Sequence, residues 1–330
     1  MAAVAVAEQP DVVSVLRSKP VLITGAAGLV GRHTCDELTK HGWKVRALVR
    51  NPSKAAMRLA HLPVELHVGD IRNPESIGKA IAGCGSVVHL AAVAIERSGQ
   101  GYSDVNTDGT ANLIEQARAA GIDRFIHMSQ NGADSASPHE FLRSKGLAQD
   151  AVVASGLSHT VLRPSVIFGP EDEFVNVLAR LVRLSPIVFP LPDGGRARFQ
   201  PIAVRDVAAV VRITLEKQAT RRGTYSLGGP APLSLKEMTE RILAAMGVTR
   251  RLVTVPVSAL RPLIALAEKM IPNPPVTSSL LGLLSLDNTV PNNAITEVFG
   301  LTPTPFAPDE LQYLRRISAS SALSSLFQRH

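Results

Sequence analysis

The chain has 330 residues, 45% hydrophobic but only 4% aromatic, with 35 lysines and arginines against 28 acidic residues for a net charge of +7. That length makes one large domain or two modest ones, and a cysteine pair, Cys35 and Cys84, excludes a disulfide scaffold and a C-x-x-C metal site. Arg261, Glu268 and Lys269 interrupt the most apolar stretch, 257–271, which argues against a membrane span, while scattered basic residues and few aromatics argue against a nucleic-acid partner.

Residues 1–19 precede the first clear strand and read as a short N-terminal extension. They lack the basic start and apolar core of a secretory signal, and Glu8 and Asp11 sit badly in a mitochondrial presequence. With so few cysteines, the expected setting is the reducing cytoplasm. From Pro20 a strand–helix rhythm begins. Apolar strands at 21–23, 44–49, 64–68, 86–90, 124–128 and 159–163 alternate with helical patterns at 29–41, 53–61, 74–82, 103–120 and 141–154. Such an alternation predicts a parallel sheet covered on both faces, a Rossmann-type doubly wound α/β fold. After Gly169, connections carrying Pro186, Pro190, Pro192 and Pro201 break the rhythm, and helices at 204–217 and 234–246 flank a short strand at 225–227. The division is a nucleotide-binding core at 20–170 and a smaller C-terminal α/β lobe at 171–330, with some segments returning to the core. Any peripheral contact with the cytoplasmic face of a membrane is expected from the leucine-rich 280–286 stretch and the Ser/Ala-rich end at 317–330.

Thr24-Gly25-Ala26-Ala27-Gly28-Leu29-Val30-Gly31 joins the first strand to its helix. The first glycine permits the tight turn, the second lets a pyrophosphate approach the backbone, and the third lets helix pack on strand. Free amides and the positive helix end then face the phosphates. The strand before the turn and the helix after it supply the context that a glycine spacing alone lacks. At the end of the second strand, a carboxylate would accept from a ribose 2′-hydroxyl. The chain has Arg50 there, with Lys54 a turn further on. A guanidinium bonds phosphate in a bidentate, charge-assisted way, so NADP(H) is favoured over NAD(H).

The glycine turn, Gly69-Asp70-Ile71, Val88-His89-Leu90-Ala91-Ala92, the 105–113 segment VNTDGTANL and the 162–170 segment LRPSVIFGP together resemble an extended short-chain dehydrogenase/reductase. In the second half, 199–202 (FQPI), 205–208 (RDVA) and 223–230 (GTYSLGGP) are similar to the atypical subgroup that contains the 39 kDa accessory subunit of respiratory complex I. The resemblance covers residues 20–290. It implies that Asp70 accepts from the adenine amino group and Ile71 packs the ring. Leu90, Ala91 and Ala92 would line the cofactor, Lys145 would bond the nicotinamide ribose, and Met128, Pro164 and Ile167 would flank the nicotinamide. Ala27, Leu29 and Val30 belong to the phosphate turn itself.

The same resemblance exposes a departure. Proton transfer needs a donor or acceptor within hydrogen-bond reach, and in this superfamily it is a tyrosine four residues before the lysine. Here Phe141 stands four before Lys145, and Gln130 stands where the partner serine or threonine falls, with Ser129 one residue early. Asp134, His139, Glu140 and Tyr102 are conceivable replacements. Three readings follow. The first is a dinucleotide-binding accessory or sensing subunit with little turnover, in a larger assembly. The second is an active NADPH-dependent oxidoreductase or epimerase/dehydratase-like enzyme with a displaced donor, in quinone or isoprenoid metabolism by family analogy. The third is an RNA-binding protein on this scaffold, marked by salt-dependent affinity. The second lobe offers Arg163, Glu171, Asp172, Asn176, Arg198, Gln200 and Arg205 as polar candidates, and no substrate signature; Arg205 and Asp206 are expected to anchor the lobe.

Overall fold

Strands made of consecutive apolar residues must be covered on both faces, and seven of them form one parallel sheet. They are β1 (Val21–Thr24), β2 (Val45–Val49), β3 (Val64–Val68), β4 (Ser86–His89), β5 (Arg124–Met128), β6 (His159–Pro164) and β7 (Gly223–Leu227), in the order β7-β6-β5-β4-β1-β2-β3. The computed structural model describes residues 16–96, 99–271, 274 and 276–327. The first fifteen residues of the expected N-terminal extension, and 328–330 of the expected tail, lie outside the described residues.

The two-residue period of a strand sends Val21 and Ile23 to one face and Leu22 to the other. Helices α1 (Leu29–Lys40) and α2 (Pro52–Leu59) bury Cys35, Leu38, Ala55 and Leu59 on the first face. Helices α3 (Pro74–Ile81), α4 (Gly109–Ala119) and α5 (Glu140–Ala154) bury Ile77, Ile81, Leu113, Ala117 and Val152 on the second. Burial pushes the Cys35 thiol up to about 12 and raises Cys84 as well, so neither is a ready nucleophile. The helix expected from 103 to 120 differs at its start. Ser103–Asp108 is a π-helical segment that runs into α4, because the chain carries one residue more per turn there.

Helix α6 (Val175–Leu184) belongs to the second lobe, whereas α7 (Val204–Glu216) packs Val207, Val210 and Val211 against the sheet beside α1. Strand β7 pairs with β6, Tyr225 opposite Leu162, so the chain returns to the sheet after leaving it. The second lobe has its own core, in which α6 and α8 (Leu235–Met246) enclose Phe168, Met238, Ile242 and Phe306. Its outer part is a two-stranded parallel ribbon, 188–192 against 251–255, followed by α9 (Val257–Met270) and the short α10 (Ser278–Leu283).

Candidate functional site

All the expected cofactor residues fall on the carboxyl edge of the sheet, where open α/β folds bind ligands. Gly25 has φ +67°, and a Cβ there would lie 2.8 Å from the Ala91 amide nitrogen and 2.9 Å from the Leu90 carbonyl carbon. Only glycine fits where β1 turns against the end of β4. A Cβ on Gly31 would stand 2.1 Å from the Gly25 carbonyl oxygen, so α1 rests directly on the turn. Gly28 is the N-cap of α1, is exposed, and leaves the first helical amides without a side-chain cap. Leu29 and Val30 are half-buried. An uncapped helix end beside a side-chain-free turn has the donors and the space a pyrophosphate needs.

Arg50 and Lys54 stand exposed at the end of β2 and the start of α2. Sequence reasoning missed a third cation one turn further along. Arg58 Nη1 donates to the Ala27 carbonyl at 2.9 Å, tying α2 to the phosphate turn, and Nη2 lies 3.2 Å from Glu171 Oε2. Glu171 sits at φ +71°, unusual for a residue with a side chain, and its carboxylate also lies 3.8 Å from Arg32 Nη2 on α1. The i, i+4 spacing of Lys54 and Arg58 was the available signal. Asp70 is bonded by Arg72, with Nη2 to Oδ2 at 2.7 Å and the Arg72 amide to Oδ1 at 2.9 Å. Partial burial alone would raise this carboxyl; the Arg72 hydrogen bonds and charge outweigh it and hold it below the usual range. Ile71 is buried against Gly109, whose missing Cβ leaves room for it at the junction of π segment and α4.

At the end of β4, one hydroxyl organises the turn. Leu90 and Ala91 amides both donate to Thr24 Oγ1 at 3.2 Å, freeing the Thr24 proton for His89 Nδ1 at 2.7 Å. Thr110 gives its proton to the Asn106 carbonyl at 2.6 Å, so it accepts from His89 Nε2 at 2.9 Å. That pattern fixes His89 as a neutral imidazole. Complete burial, helped by the Lys145 charge, pushes it down to about 3. Its neighbour His127 on β5, ring centroid 5.2 Å away, is equally buried and also driven well below its ordinary value, first by burial and then by Lys145. Neither His127 nitrogen has a partner.

Lys145 is 4% exposed, and its Nζ donates to the Met128 carbonyl at 2.7 Å. Burial alone pushes the ammonium down to about 8, which leaves it protonated at neutral pH. Met128 and Pro164 are buried at the strand ends, while Leu90, Ala91 and Ile167 are half-buried and Ala92 exposed along the rim. Phe141 is one turn before Lys145 on α5, and its ring packs 5.8 Å from that of Tyr102. The Tyr102 hydroxyl donates to the Ala94 carbonyl at 3.0 Å. Burial is the main reason its pKa is raised, so it stays a neutral phenol. Glu96, Tyr102, Thr107, Glu140 and Ser144 share a cleft of about 200 Å³ here. Gln130 is half-buried, and the buried Ser129 hydroxyl has no partner. Asp134 is turned away: its Oδ1 accepts the Ala136 amide at 2.9 Å and closes its own loop.

The second-lobe candidates divide. Asp172 is buried and accepts the Phe174 amide at 2.8 Å and Asn176 Nδ2 at 2.6 Å, while Asn176 also donates to the Gly169 carbonyl at 3.0 Å. Both therefore hold the start of α6 to the strand end. Arg205 pairs with Glu310 at 2.9 Å, and Asp206 accepts the Thr304 amide at 2.7 Å, anchoring the 304–310 segment to α7. Gln200 is spent on Gly229 and Val290. Arg163 donates to the Ala133 carbonyl at 3.3 Å, and Arg198 is exposed beside Asp287.

Residues 25–184 match the model of an NAD(P)H-binding family. A ceramide reductase of Caulobacter vibrioides is 36% identical over 190 residues, 57% of this chain and 58% of that protein. The mitochondrial subunit 9 of the NADH dehydrogenase (ubiquinone) 1 alpha subcomplex of Arabidopsis thaliana is 28% identical over 290 residues, 83% of this chain and 71% of that one. Among solved structures, UDP-glucuronic acid 4-epimerase of Bacillus cereus, in complex with UDP-glucuronic acid and NAD, superposes with a TM-score of 0.68 at 16% identity, covering 92% and 99% of the two chains, a likeness of fold.

Proposed function

We propose that the chain, whose residues 25–184 match an NAD(P)H-binding family, binds NADP(H) as a cofactor-stabilised accessory or sensing subunit with little turnover. One observation carries the reading. The glycine turn, the β4 rim and Lys145 are retained, whereas the ring four residues before that lysine, Phe141, has no titratable atom. Lys145 would bond the nicotinamide ribose, and Asp70 would face the adenine. Arg50, Lys54 and Arg58 would hold the 2′-phosphate. When bound, the cofactor supplies hydride chemistry; this chain's residues bind and orient it. The likeness to an NADH dehydrogenase subunit supports a place in a larger assembly, as does the loss of the proton donor.

Calorimetric titration with NADPH and NADH tests the cofactor half. We expect NADPH to bind more tightly, and Arg50→Asp to weaken NADPH by about tenfold or more, roughly 1.4 kcal/mol, with little effect on NADH. Equal loss for both nucleotides would remove Arg50 from the phosphate. The catalytic half is tested by restoring the missing groups. Phe141→Tyr with Gln130→Ser should raise NADPH oxidation with lipophilic ketones by about tenfold or more over the unmodified chain.

A second reading has a specific observation behind it. Tyr102 lies ring to ring with Phe141 and places a neutral phenol in the same cleft, suited to donating a proton to a carbonyl under reduction. If the unmodified chain turns over, and Tyr102→Phe abolishes this while NADPH still binds, the protein is a reductase with a displaced donor.

A further inference from the structure

Helix α9 has no buried residue despite being mostly apolar. Its half-buried positions, Val257, Leu260, Ile264 and Ala267, follow helical spacing and form the side turned to the protein. A second apolar stripe, Ala259, Leu263, Leu266 and Met270, adjoins it, about 110° round the helix between centres. Leu263 is 65% exposed, Leu266 55% and Met270 72%. The ribbon before the helix, where the Arg251 amide bonds the Ile187 carbonyl at 2.9 Å, also exposes Ile187, Val188 and Val253. Exposed large apolar side chains gathered on one helix side in this way mark a contact with something other than water.

Charge says what that contact is. Arg250 and Arg251 open the second strand of the ribbon, and Arg261 and Lys269 lie on α9. They outnumber the acids of this region, Glu268 on the helix and Asp193, whose Oδ1 accepts the Val257 amide at 3.1 Å. The Glu268 carboxylate is occupied by α10, accepting the Ser278 amide at 2.9 Å and hydroxyl at 2.6 Å. An exposed apolar stripe on a net-cationic helix and ribbon matches an anionic bilayer surface. The same α9–α10 pair reaches the candidate site. A Cβ on Gly282 would lie 3.7 Å from the His139 ring. We propose that α9 and α10 dock the protein on an anionic phospholipid leaflet, α9 entering the headgroup–acyl boundary and α10 presenting the mouth beside Tyr102 and His139 to the lipid. This stands whether or not the site turns over, and uses the cofactor reading only to locate the mouth.

Cosedimentation of the full chain with phosphatidylcholine vesicles, with and without phosphatidylglycerol, tests it. Binding should be about tenfold tighter to the anionic vesicles and should fall with salt. Leu263→Glu with Leu266→Glu should reduce it about tenfold or more while NADPH affinity and melting temperature stay put, since both side chains are already in water. Lys269→Glu with Arg261→Glu should flatten the salt dependence. The proposal is overturned if the chain binds neither vesicle, or if the paired leucine variant binds as the parent does. It is equally overturned if light scattering shows a dimer that the leucine variant dissolves, for then a second copy covers the stripe. Loss of NADPH binding without loss of vesicle binding would sink the cofactor reading and leave this one standing.

Discussion

Gly31→Ala should destabilise the protein by on the order of 3 kcal/mol and weaken NADPH binding by about tenfold or more. The sign is a contest between two effects. Alanine is the better helix former by about 1 kcal/mol, and Gly31 lies within α1. Against that, the added methyl would meet the Gly25 carbonyl oxygen at 2.1 Å and Ala26 Cα at 2.6 Å. Both are backbone atoms of the phosphate turn, so relief requires α1 or the turn itself to move. Gly78→Ala is the control. Its Cβ meets only the tip of the Gln116 side chain, at 3.0 Å, which can swing aside. Urea unfolding with and without NADPH should show the first variant unstable and unresponsive to ligand, and the second neutral or slightly stabilised. A Gly31→Ala protein that bound NADPH normally would show that the helix end does not position the phosphates.

The second large effect is acid sensitivity from two histidines under the cofactor edge. His89 and His127 have folded-state pKa values depressed below the unfolded 6.5, His89 to about 3. Below 6.5 only the unfolded chain takes up these protons. Stability is therefore complete above pH 6.5 and is lost as pH falls from there toward the folded values. His89 costs about 1.4 kcal/mol per pH unit, roughly 2 kcal/mol by pH 5, and His127 adds a loss of the same sign. His127→Phe should make the protein lose less stability between pH 7.5 and 5.0. It should also cost little at pH 7.5, because neither ring nitrogen of His127 has a partner to lose. Denaturant unfolding of both proteins at pH 7.5 and 5.0 measures the difference, in which carboxylates common to both cancel. Parallel pH profiles would mean that His127 is solvated or paired in the folded state.

The sheet was legible because its signal is local. The first six strands are short segments rich in apolar residues, the first five of them followed by a helix-period segment, and their expected bounds agree with the sheet to within a residue or two. The seventh, Gly223–Leu227, was visible as a strand, but its neighbour was not, since pairing Tyr225 with Leu162 spans a whole lobe. The phosphate turn was legible for the same local reason: three glycines, a strand and a helix in one short window. What could not be read was contact between distant segments. The Tyr102–Phe141 ring pair and the Arg32–Glu171–Arg58 cluster join residues that no spacing links. Asp172 and Asn176 looked like substrate ligands because a polar residue in a loop and a helix cap are indistinguishable in one dimension.

The π segment at Ser103–Asp108 works as a spacer of one residue. Asn106 within it bridges two parts of the site, its amide nitrogen donating to the Val93 carbonyl at 3.1 Å and to Ser144 Oγ at 3.0 Å. Tyr102, just before the segment, is thereby phased against Phe141 while Asn106 and Thr110 keep their places. Each helical residue turns the chain by about 100°. Removing one residue between Tyr102 and Asn106 would leave the helix and the Asn106 bridge in place and turn Tyr102 about 100° away from the Phe141 ring.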